Sequence, residues 1–421
     1  MRRRAASRAS LCVAIALTAR AQTVAIKAGR LVDPETGTVS TQQVILVEGS
    51  RIKAAGASLS IPPGTPVIDL SSATVLPGLM DAHTHMCLVV PKPRSPGFEA
   101  ALEAVLTTAV FRTTGFRALE GAANARGMLE AGFTTIRDLG NAGNYADTDL
   151  RRAIEEDLVP GPTMITAGRI ITPYGGQYSR LTPERRDIGS PEYLYADTLD
   201  ELKKGIRENI QYGAGVIKLA VDDQPYIYSA EELRFAVREA ARAGLKVAAH
   251  CMTEAGARNA AQAGVASIEH GWRMTDEILA LAKKNQVALA GTEHPEFLLA
   301  DAGVSVEEHA AYIDRLRRAY RAGVAIVYGT DVFFALPGQT RGTLAISYVE
   351  SFVKAGLPPK AILQALTTNA ARLLGVDKER GAIKPGFAAD LIATAGNPME
   401  DAMALKQVRF VMKGGRVVYR R

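Results

Sequence analysis

Two histidines separated by one residue, His83 and His85, stand at the end of an apolar run that predicts a β-strand. Side chains two positions apart on a strand share a face, so both imidazoles would point the same way and could hold one metal ion. Imidazole nitrogen is a common ligand for zinc and related divalent ions. Either histidine alone would more often be a hydrogen-bonded core residue, so a metal site requires further ligands.

Further residues with ligand chemistry stand at the ends of other predicted strands. Asp331 by itself would be explained as a helix cap, and Lys218 by itself as a lysine that extends its amine to solvent. Six such residues at the ends of five strands outweigh these separate explanations, because parallel strands bring their carboxyl ends to one edge. The sequence therefore predicts a metal site formed by His83, His85, Lys218, His250, His270 and Asp331.

The strands that would carry these residues lie in a middle region where short β-branched runs alternate with longer stretches that have apolar residues at helical spacing. Eight such units predict an α/β fold, a (β/α)8 TIM barrel over residues 73–382. The eight runs are residues 74–80, 133–137, 163–167, 216–219, 246–250, 267–270, 287–290 and 325–328.

Both ends of the mature chain are different in character, with short β-rich runs separated by turns that contain glycine. We predict that residues 22–72 and 383–421 assemble one small β-sandwich domain from both termini. Only Cys87 and Cys251 remain outside the first 21 residues, which is too few cysteines to stabilise such a fold by disulfides. We expect both to be packed thiols.

Residues 1–21 have the composition of a secretory signal peptide. Arginines at positions 2–4 precede a short apolar core at residues 11–17, and Ala19-Arg20-Ala21 forms a cleavage pattern before Gln22. The apolar core is too short for a resident transmembrane helix, so we expect a periplasmic or secreted protein with no stable membrane anchor. Because this segment holds five arginines and no acidic residue, the mature chain carries 45 basic and 44 acidic residues. No nucleic-acid partner is therefore expected.

The sequence around the candidate ligands resembles the amidohydrolase superfamily over nearly the whole mature chain. Within it, the chain is most similar to the group of metal-dependent Xaa-Pro dipeptidases, carboxypeptidases that release C-terminal basic residues, and ochratoxin-type amidases. The stretches that carry the resemblance are PGLMDAHTH (77–85), AGFTTIRD (131–138), GLKVAAH (244–250), SIEHG (267–271), YGTD (328–331), TNAARLLG (368–375) and KPGFAADL (384–391).

The resemblance implies two divalent metal ions, most often Zn²⁺, in an enzyme that hydrolyses an amide bond of a small-molecule substrate. Lys218 would bridge the ions as a carbamate formed with carbon dioxide, since an ammonium group has no lone pair for a metal. Asp331 would take a proton from the activated water and return it to the departing amine. A homo-oligomer is expected. The other implied ligands are His83, His85 and Asp331 for the inner ion, and His250 and His270 for the outer ion.

Three residues are candidates for substrate contacts. In the resembled group a tyrosine of the loop after the fourth strand contacts substrate, so Tyr228 is our candidate, with a packed loop aromatic as the equal alternative. Gln177 follows Gly175-Gly176 where the group commonly has histidine, and Phe334 lies in an apolar stretch where relatives often carry His-Gly. These departures favour a dipeptide or N-acyl amino acid with a bulky apolar acyl side, including ochratoxin-like amides.

Other classes of protein fit the sequence less well. A mononuclear deaminase of the same superfamily usually lacks the bridging lysine, and its H-x-x-E pattern is absent because Glu254 lies four residues beyond His250. A cyclic-amide hydrolase of the superfamily is a further alternative. A non-catalytic binding relative should have lost metal ligands, and the sequence retains all six.

Overall fold

The computed structural model describes residues 23–91, 98–178 and 181–421. The signal peptide predicted at residues 1–21 lies outside the described residues and stays a prediction. Among the helices in the described ranges, none is both long enough and apolar enough to cross a membrane.

The strands of the described residues are numbered in chain order. The first six are β1 Thr23–Asp33, β2 Thr38–Glu48, β3 Arg51–Gly56, β4 Val67–Pro77, β5 Leu79–Thr84 and β6 Val90–Pro91. The middle strands are β7 Phe133–Asp138, β8 Thr163–Thr166, β9 Ile170–Thr172, β10 Tyr193–Tyr195, β11 Ile217–Ala220, β12 Val247–Cys251, β13 Ser267–His270, β14 Ala288–Gly291, β15 Ile326–Tyr328 and β16 Phe334–Ala335. The last three are β17 Leu391–Thr394, β18 Val408–Lys413 and β19 Arg416–Arg420.

Strands from both ends of the chain form one mixed sheet in the order β19-β18-β17-β4-β1-β2-β3. Only the β1–β4 pair is parallel. This is a single sheet with seven strands, where the sequence analysis predicts a β-sandwich. Ile52 of β3 donates its N–H to Phe387 O at 2.8 Å, so the β3 edge lies beside the segment before β17. The buried apolar cluster of this sheet includes Ile26, Ile45, Val75, Leu391 and Phe410.

The middle of the chain is an α/β fold with parallel strands. Its main sheets have the orders β10-β9-β11-β12-β13-β14-β15 and β5-β7-β8, and every pair in them is parallel. Backbone hydrogen bonds connect the two sheets at two places. The N–H of Asp331, after β15, donates to His83 O of β5 at 2.8 Å, and Gly215 N, before β11, donates to Thr166 O of β8 at 2.8 Å.

Helices connect most of these strands, and seven of the described helices begin at a Ser or Thr whose side chain caps the first turn. At the start of α5 Ala230–Ala241, Ser229 Oγ accepts the N–H of Glu232 while the Glu232 carboxylate accepts from Ser229, a capping box. The other helices are α1 Phe98–Phe111, α2 Thr114–Glu130, α3 Ala146–Glu155, α4 Leu199–Gln211, α6 Glu254–Ala263, α7 Asp276–Lys284, α8 Leu299–Ala302, α9 Val306–Arg321, α10 Arg341–Ser347, α11 Val349–Lys354, α12 Pro359–Leu366 and α13 Thr368–Leu374. Short 3₁₀ helices are Pro183–Gly189, Glu296–Leu298 and Ala402–Gln407.

The first predicted barrel strand, residues 74–80, requires a correction. Its first half belongs to β4 in the terminal sheet, and β5, which pairs with β7, begins only at Leu79. The chain passes between the two sheets at Gly78, where a Cβ atom would lie 2.1 Å from Thr134 Oγ1 and 2.8 Å from Thr134 Cβ. Only glycine allows so close an approach.

We predict that Gly78→Ala lowers the free energy of unfolding by about 1–3 kcal/mol, because the added methyl group overlaps Thr134. Urea or thermal unfolding measures the change. Gly115→Ala is the matched control, since no atom lies within 4 Å of its Cβ position in α2 and alanine favours helix. Equal stability of the two variants would contradict the close approach at Gly78.

Candidate metal centre

The structure brings the predicted metal ligands to the carboxyl ends of the parallel strands. His83 lies in β5, Lys218 in β11, His250 in β12 and His270 at the end of β13. His85 directly follows β5, and Asp331 lies between β15 and β16. The four histidines and Lys218 are buried, and the Asp331 side chain is 19% exposed.

The Asp331 carboxylate is the centre of the inner group of ligands. Its Oδ1 lies 2.9 Å from Nε2 of His85 and 3.5 Å from Nε2 of His83, and its Oδ2 lies 3.9 Å from Nδ1 of His270. Ligand atoms of His83, His270 and Asp331 all lie within 4.8 Å of one another. Imidazoles that converge on a carboxylate are a donor set that zinc and similar divalent ions prefer.

His83 is oriented by a charged pair behind it. Its Nδ1 lies 2.9 Å from Glu269 Oε2, while Arg137 Nη2 donates to Glu269 Oε1 at 2.7 Å. Although burial favours the neutral acid, Arg137 lowers the pKa of Glu269, so its carboxylate only accepts and His83 must donate Nδ1–H. Burial lowers the pKa of His83 to about 4. The ring is therefore neutral at pH 7, with a lone pair on Nε2 for a metal.

Hydrogen bonds at Nδ1 also orient two other imidazole rings, those of His85 and His270. His85 Nδ1 lies 2.8 Å from Gly140 O, and a carbonyl accepts only, so Nδ1 of His85 carries a proton and Nε2 is the nitrogen that faces Asp331. His270 Nδ1 lies 2.9 Å from Thr292 Oγ1. His270 and Asp331 both have positive φ angles, 64° and 53°. Such angles cost a non-glycine residue about 1–3 kcal/mol and are common at functional sites.

A second group of potential ligands surrounds His250. Its Nε2 lies 2.6 Å from Asp223 Oδ2 but makes no hydrogen bond of acceptable geometry. Gln177, predicted to contact substrate, donates Nε2–H to the same Asp223 oxygen at 2.8 Å. The adjacent Asp222 is committed elsewhere, since it accepts the N–H of Thr253 at 2.8 Å at the start of α6. Asp223 stands in no motif or spacing that would predict a ligand from the sequence.

Lys218 is buried, 2% exposed, and its Nζ has no hydrogen-bond partner among the described residues. Burial lowers the pKa of Lys218 to about 8, so a neutral amine is accessible near physiological pH. A buried ammonium without an acceptor is costly, whereas a neutral amine can react with carbon dioxide. The surroundings of Lys218 therefore fit the predicted carbamate, which stays a prediction.

Two of the predicted substrate residues are not exposed at this centre. Tyr228 is fully buried and donates its hydroxyl to Ala196 O at 2.6 Å, which agrees with the alternative of a packed loop aromatic. Phe334 is 4% exposed and pairs with Val90 in the β16–β6 sheet. Its neighbour Phe333 lies against the site instead, with its ring centroid 6.5 Å from that of His85.

Two further residues near the ligands, His294 and Trp272, were not predicted from the sequence. His294 follows β14, and its Nδ1 lies 2.7 Å from the Tyr348 hydroxyl; burial lowers its pKa to about 4, against the opposing charge of Asp331. The sequence signal that could have identified His294 is its position four residues beyond the predicted seventh strand. Trp272, two residues beyond His270, has its ring centroid 5.4 Å from the imidazole and stacks on Tyr312 at 4.4 Å.

Comparison with known proteins gives one family match that covers most of the chain. A model described as the amidohydrolase family matches residues 74–418. This range includes all six predicted metal ligands.

Individual relatives match over nearly their whole length. The ochratoxinase of Aspergillus niger is 29% identical over 96% of this chain and 88% of its own. The imidazolonepropionase of Porphyromonas gingivalis is 25% identical over 93% of each chain. A crystal structure of a Xaa-Pro dipeptidase with bound methionine in the active site has a TM-score of 0.80 and 28% identity over 94% of this chain and 99% of its own.

We predict that Lys218→Ala lowers the metal content and abolishes activity, because Lys218 has the only polar side chain of β11 and its buried amine has no hydrogen-bond partner among the described residues. Elemental analysis of purified protein measures the metal content. Chelator-stripped wild type should regain activity with Zn²⁺ and bicarbonate together, and less with Zn²⁺ alone. Lys246→Ala is the control, since this exposed lysine only donates to the carbonyls of Arg372 and Leu373. Unchanged metal content in Lys218→Ala would contradict the bridging role.

Proposed function

Because the chain belongs to the amidohydrolase family, we propose that it releases a C-terminal amino acid from a dipeptide or an N-acyl amino acid by metal-dependent hydrolysis. It is a hydrolytic enzyme that acts on amide bonds. The observation that carries the proposal is the convergence of His83, His85 and His270 on the Asp331 carboxylate at the carboxyl ends of the strands.

The ligand assignment follows the resemblance to the family, because His270 lies near both Asp331 and His250. We assign His83, His85 and Asp331 to an inner ion and His250 and His270 to an outer ion, with Lys218 as a bridging carbamate. Bound divalent ions, most simply Zn²⁺, would supply Lewis acidity and a water of lowered pKa. The unpartnered Nζ of Lys218 and Nε2 of His250, both buried, support this assignment.

Asp331 is the residue that moves the proton. Burial opposes ionisation, but the imidazoles of His83 and His85 lower its pKa well below the usual range, so the carboxylate is ionised at neutral pH. It can accept a proton from the attacking water. It can then donate that proton to the departing amine nitrogen, which an amide requires before the C–N bond breaks.

The acyl side of the substrate would lie against aromatic surface. Phe333, beside His85, replaces Phe334 as our candidate, and its ring contacts that of Phe334 with centroids 4.3 Å apart. Trp272 lies beside His270 on the other ligand group. Apolar rings next to both groups favour a bulky apolar acyl group over a small polar one, because burial of apolar surface stabilises the bound substrate.

The wider architecture is part of the proposal. Hydrogen bonds between the chain after β15 and β5, and between the chain before β11 and β8, support closure of the parallel strands into a (β/α)8 barrel. The contact of β3 with the segment before β17, around one apolar core, supports a single small domain assembled from both termini. Gly78 would be the border between them. Export of the mature protein and assembly into a homo-oligomer are also proposed.

We predict that Asp331→Asn lowers kcat for amide substrates by at least about a hundredfold, because an amide side chain cannot transfer the proton. A panel of dipeptides and N-acyl amino acids, with release of the free amino acid measured, tests the reaction class. The kcat of Asp331→Asn for a p-nitrophenyl ester should fall by a smaller factor, since the leaving group of this ester departs without a proton. Preference of the wild type for lactones or esters over every amide would overturn the assignment.

We predict that Phe333→Ala lowers kcat/KM for N-aromatic acyl amino acids by roughly tenfold and leaves N-acetyl amino acids nearly unchanged, since only the large group reaches the ring. The ratio of the two kcat/KM values is the measurement. Tyr212→Ala removes an exposed aromatic at the end of α4 and serves as the control. A wild type that hydrolyses acetyl and aromatic acyl substrates equally well would refute the size preference.

A further inference from the structure

A carboxylate outside the predicted ligand set lies beside the outer group of ligands. Asp223 is in the loop after β11, and its side chain is 24% exposed. Its Oδ2 lies 2.6 Å from Nε2 of His250. The carboxylate thus reaches the nitrogen that His250 would offer to a metal ion.

His250 supplies an independent observation. The residue is 8% exposed, and its Nε2 has no hydrogen-bond partner despite the nearby Asp223 oxygen. A buried polar nitrogen without a partner costs free energy. A ring nitrogen without a hydrogen bond of acceptable geometry and a carboxylate oxygen this close to it form a pair of donor atoms that one cation could bind.

The position of Asp223 is set by its neighbours in the chain. Asp222 accepts the backbone N–H groups of Met252 at 2.7 Å and Thr253 at 2.8 Å, so both of its oxygens hold the loop against the start of α6. Asp223 itself has a φ angle of 144°, a conformation that non-glycine residues rarely adopt. A strained carboxylate directed at a ligand atom is consistent with a function for the side chain.

We propose that Asp223 is a third protein ligand of the outer metal ion, together with His250 and His270. Gln177 positions the carboxylate, since its Nε2 donates to Asp223 Oδ2 at 2.8 Å and its Oε1 accepts from the Tyr193 hydroxyl at 3.2 Å. The loop after β9 is thereby connected to the outer ion. This inference rests on the proposed two-ion function and adds one negative charge to the outer site.

The test is metal binding by the holoenzyme and its variants, measured as Zn²⁺ content against a graded chelator buffer. The wild type should retain two ions per chain. Asp223→Asn should retain one ion and bind the second at least about tenfold more weakly, because the amide carries no charge. Gln177→Ala should weaken the binding of the same ion by a smaller factor. Asp197→Asn is the control, an exposed carboxylate near β10 that accepts Tyr174 N–H and should leave both ions bound.

A second variant separates ligation from folding. Asp223→Gly removes the carboxylate and relieves the strained φ angle, so it should unfold at an equal or higher temperature and still lose the second ion. In Co²⁺-substituted protein, loss of a ligand should change the visible absorption of one ion only.

The outcomes distinguish this inference from the proposed function. Two ions of unchanged affinity in both Asp223 variants would show that Asp223 is not a ligand, while the two-ion enzyme would stand. A wild type that retains a single ion under all chelator conditions would overturn both proposals together.

Discussion

The negative charge of Glu269 is the constraint on which the metal centre depends. Its side chain is completely buried, and removal of a partner from a buried charge costs several kcal/mol. Arg137 compensates one carboxylate oxygen and His83 the other. Because these residues come from β13, β7 and β5, balancing one charge holds three strands in register and sets the tautomer of a metal ligand.

Much of the fold, and the placement of the six candidate ligands on the parallel strands and the loops that follow them, could be predicted from sequence for physical reasons. Strand side chains alternate with a period of two, so His83 and His85 necessarily share a side. Lys218 and His250 lie within short apolar runs, and the structure forms strands at both places. Where regular elements set the direction of a side chain, the spacing of residues in the sequence was sufficient.

The rest depended on contacts that no local pattern encodes. The sequence alone does not show that Thr134 packs against Gly78 and divides an apparently continuous strand. Phe333 and Phe334 differ by one position and their rings contact each other, yet of the two only Phe333 has its ring beside that of His85, and nothing in the local sequence distinguishes them. Tyr228 and Asp223 lie in one loop, and its path, not its composition, buries the tyrosine and brings the aspartate to His250.

The chain contains a single tryptophan, and its position makes the metal centre observable without a label. Trp272 stacks on Tyr312 and meets the imidazole of His270 edge to face. The indole emission of this protein therefore originates beside His270, which we propose as a ligand of the outer ion. Paramagnetic Co²⁺ or Ni²⁺ at the outer position would quench it more strongly than at the inner position, so fluorescence can follow the order in which the two positions fill.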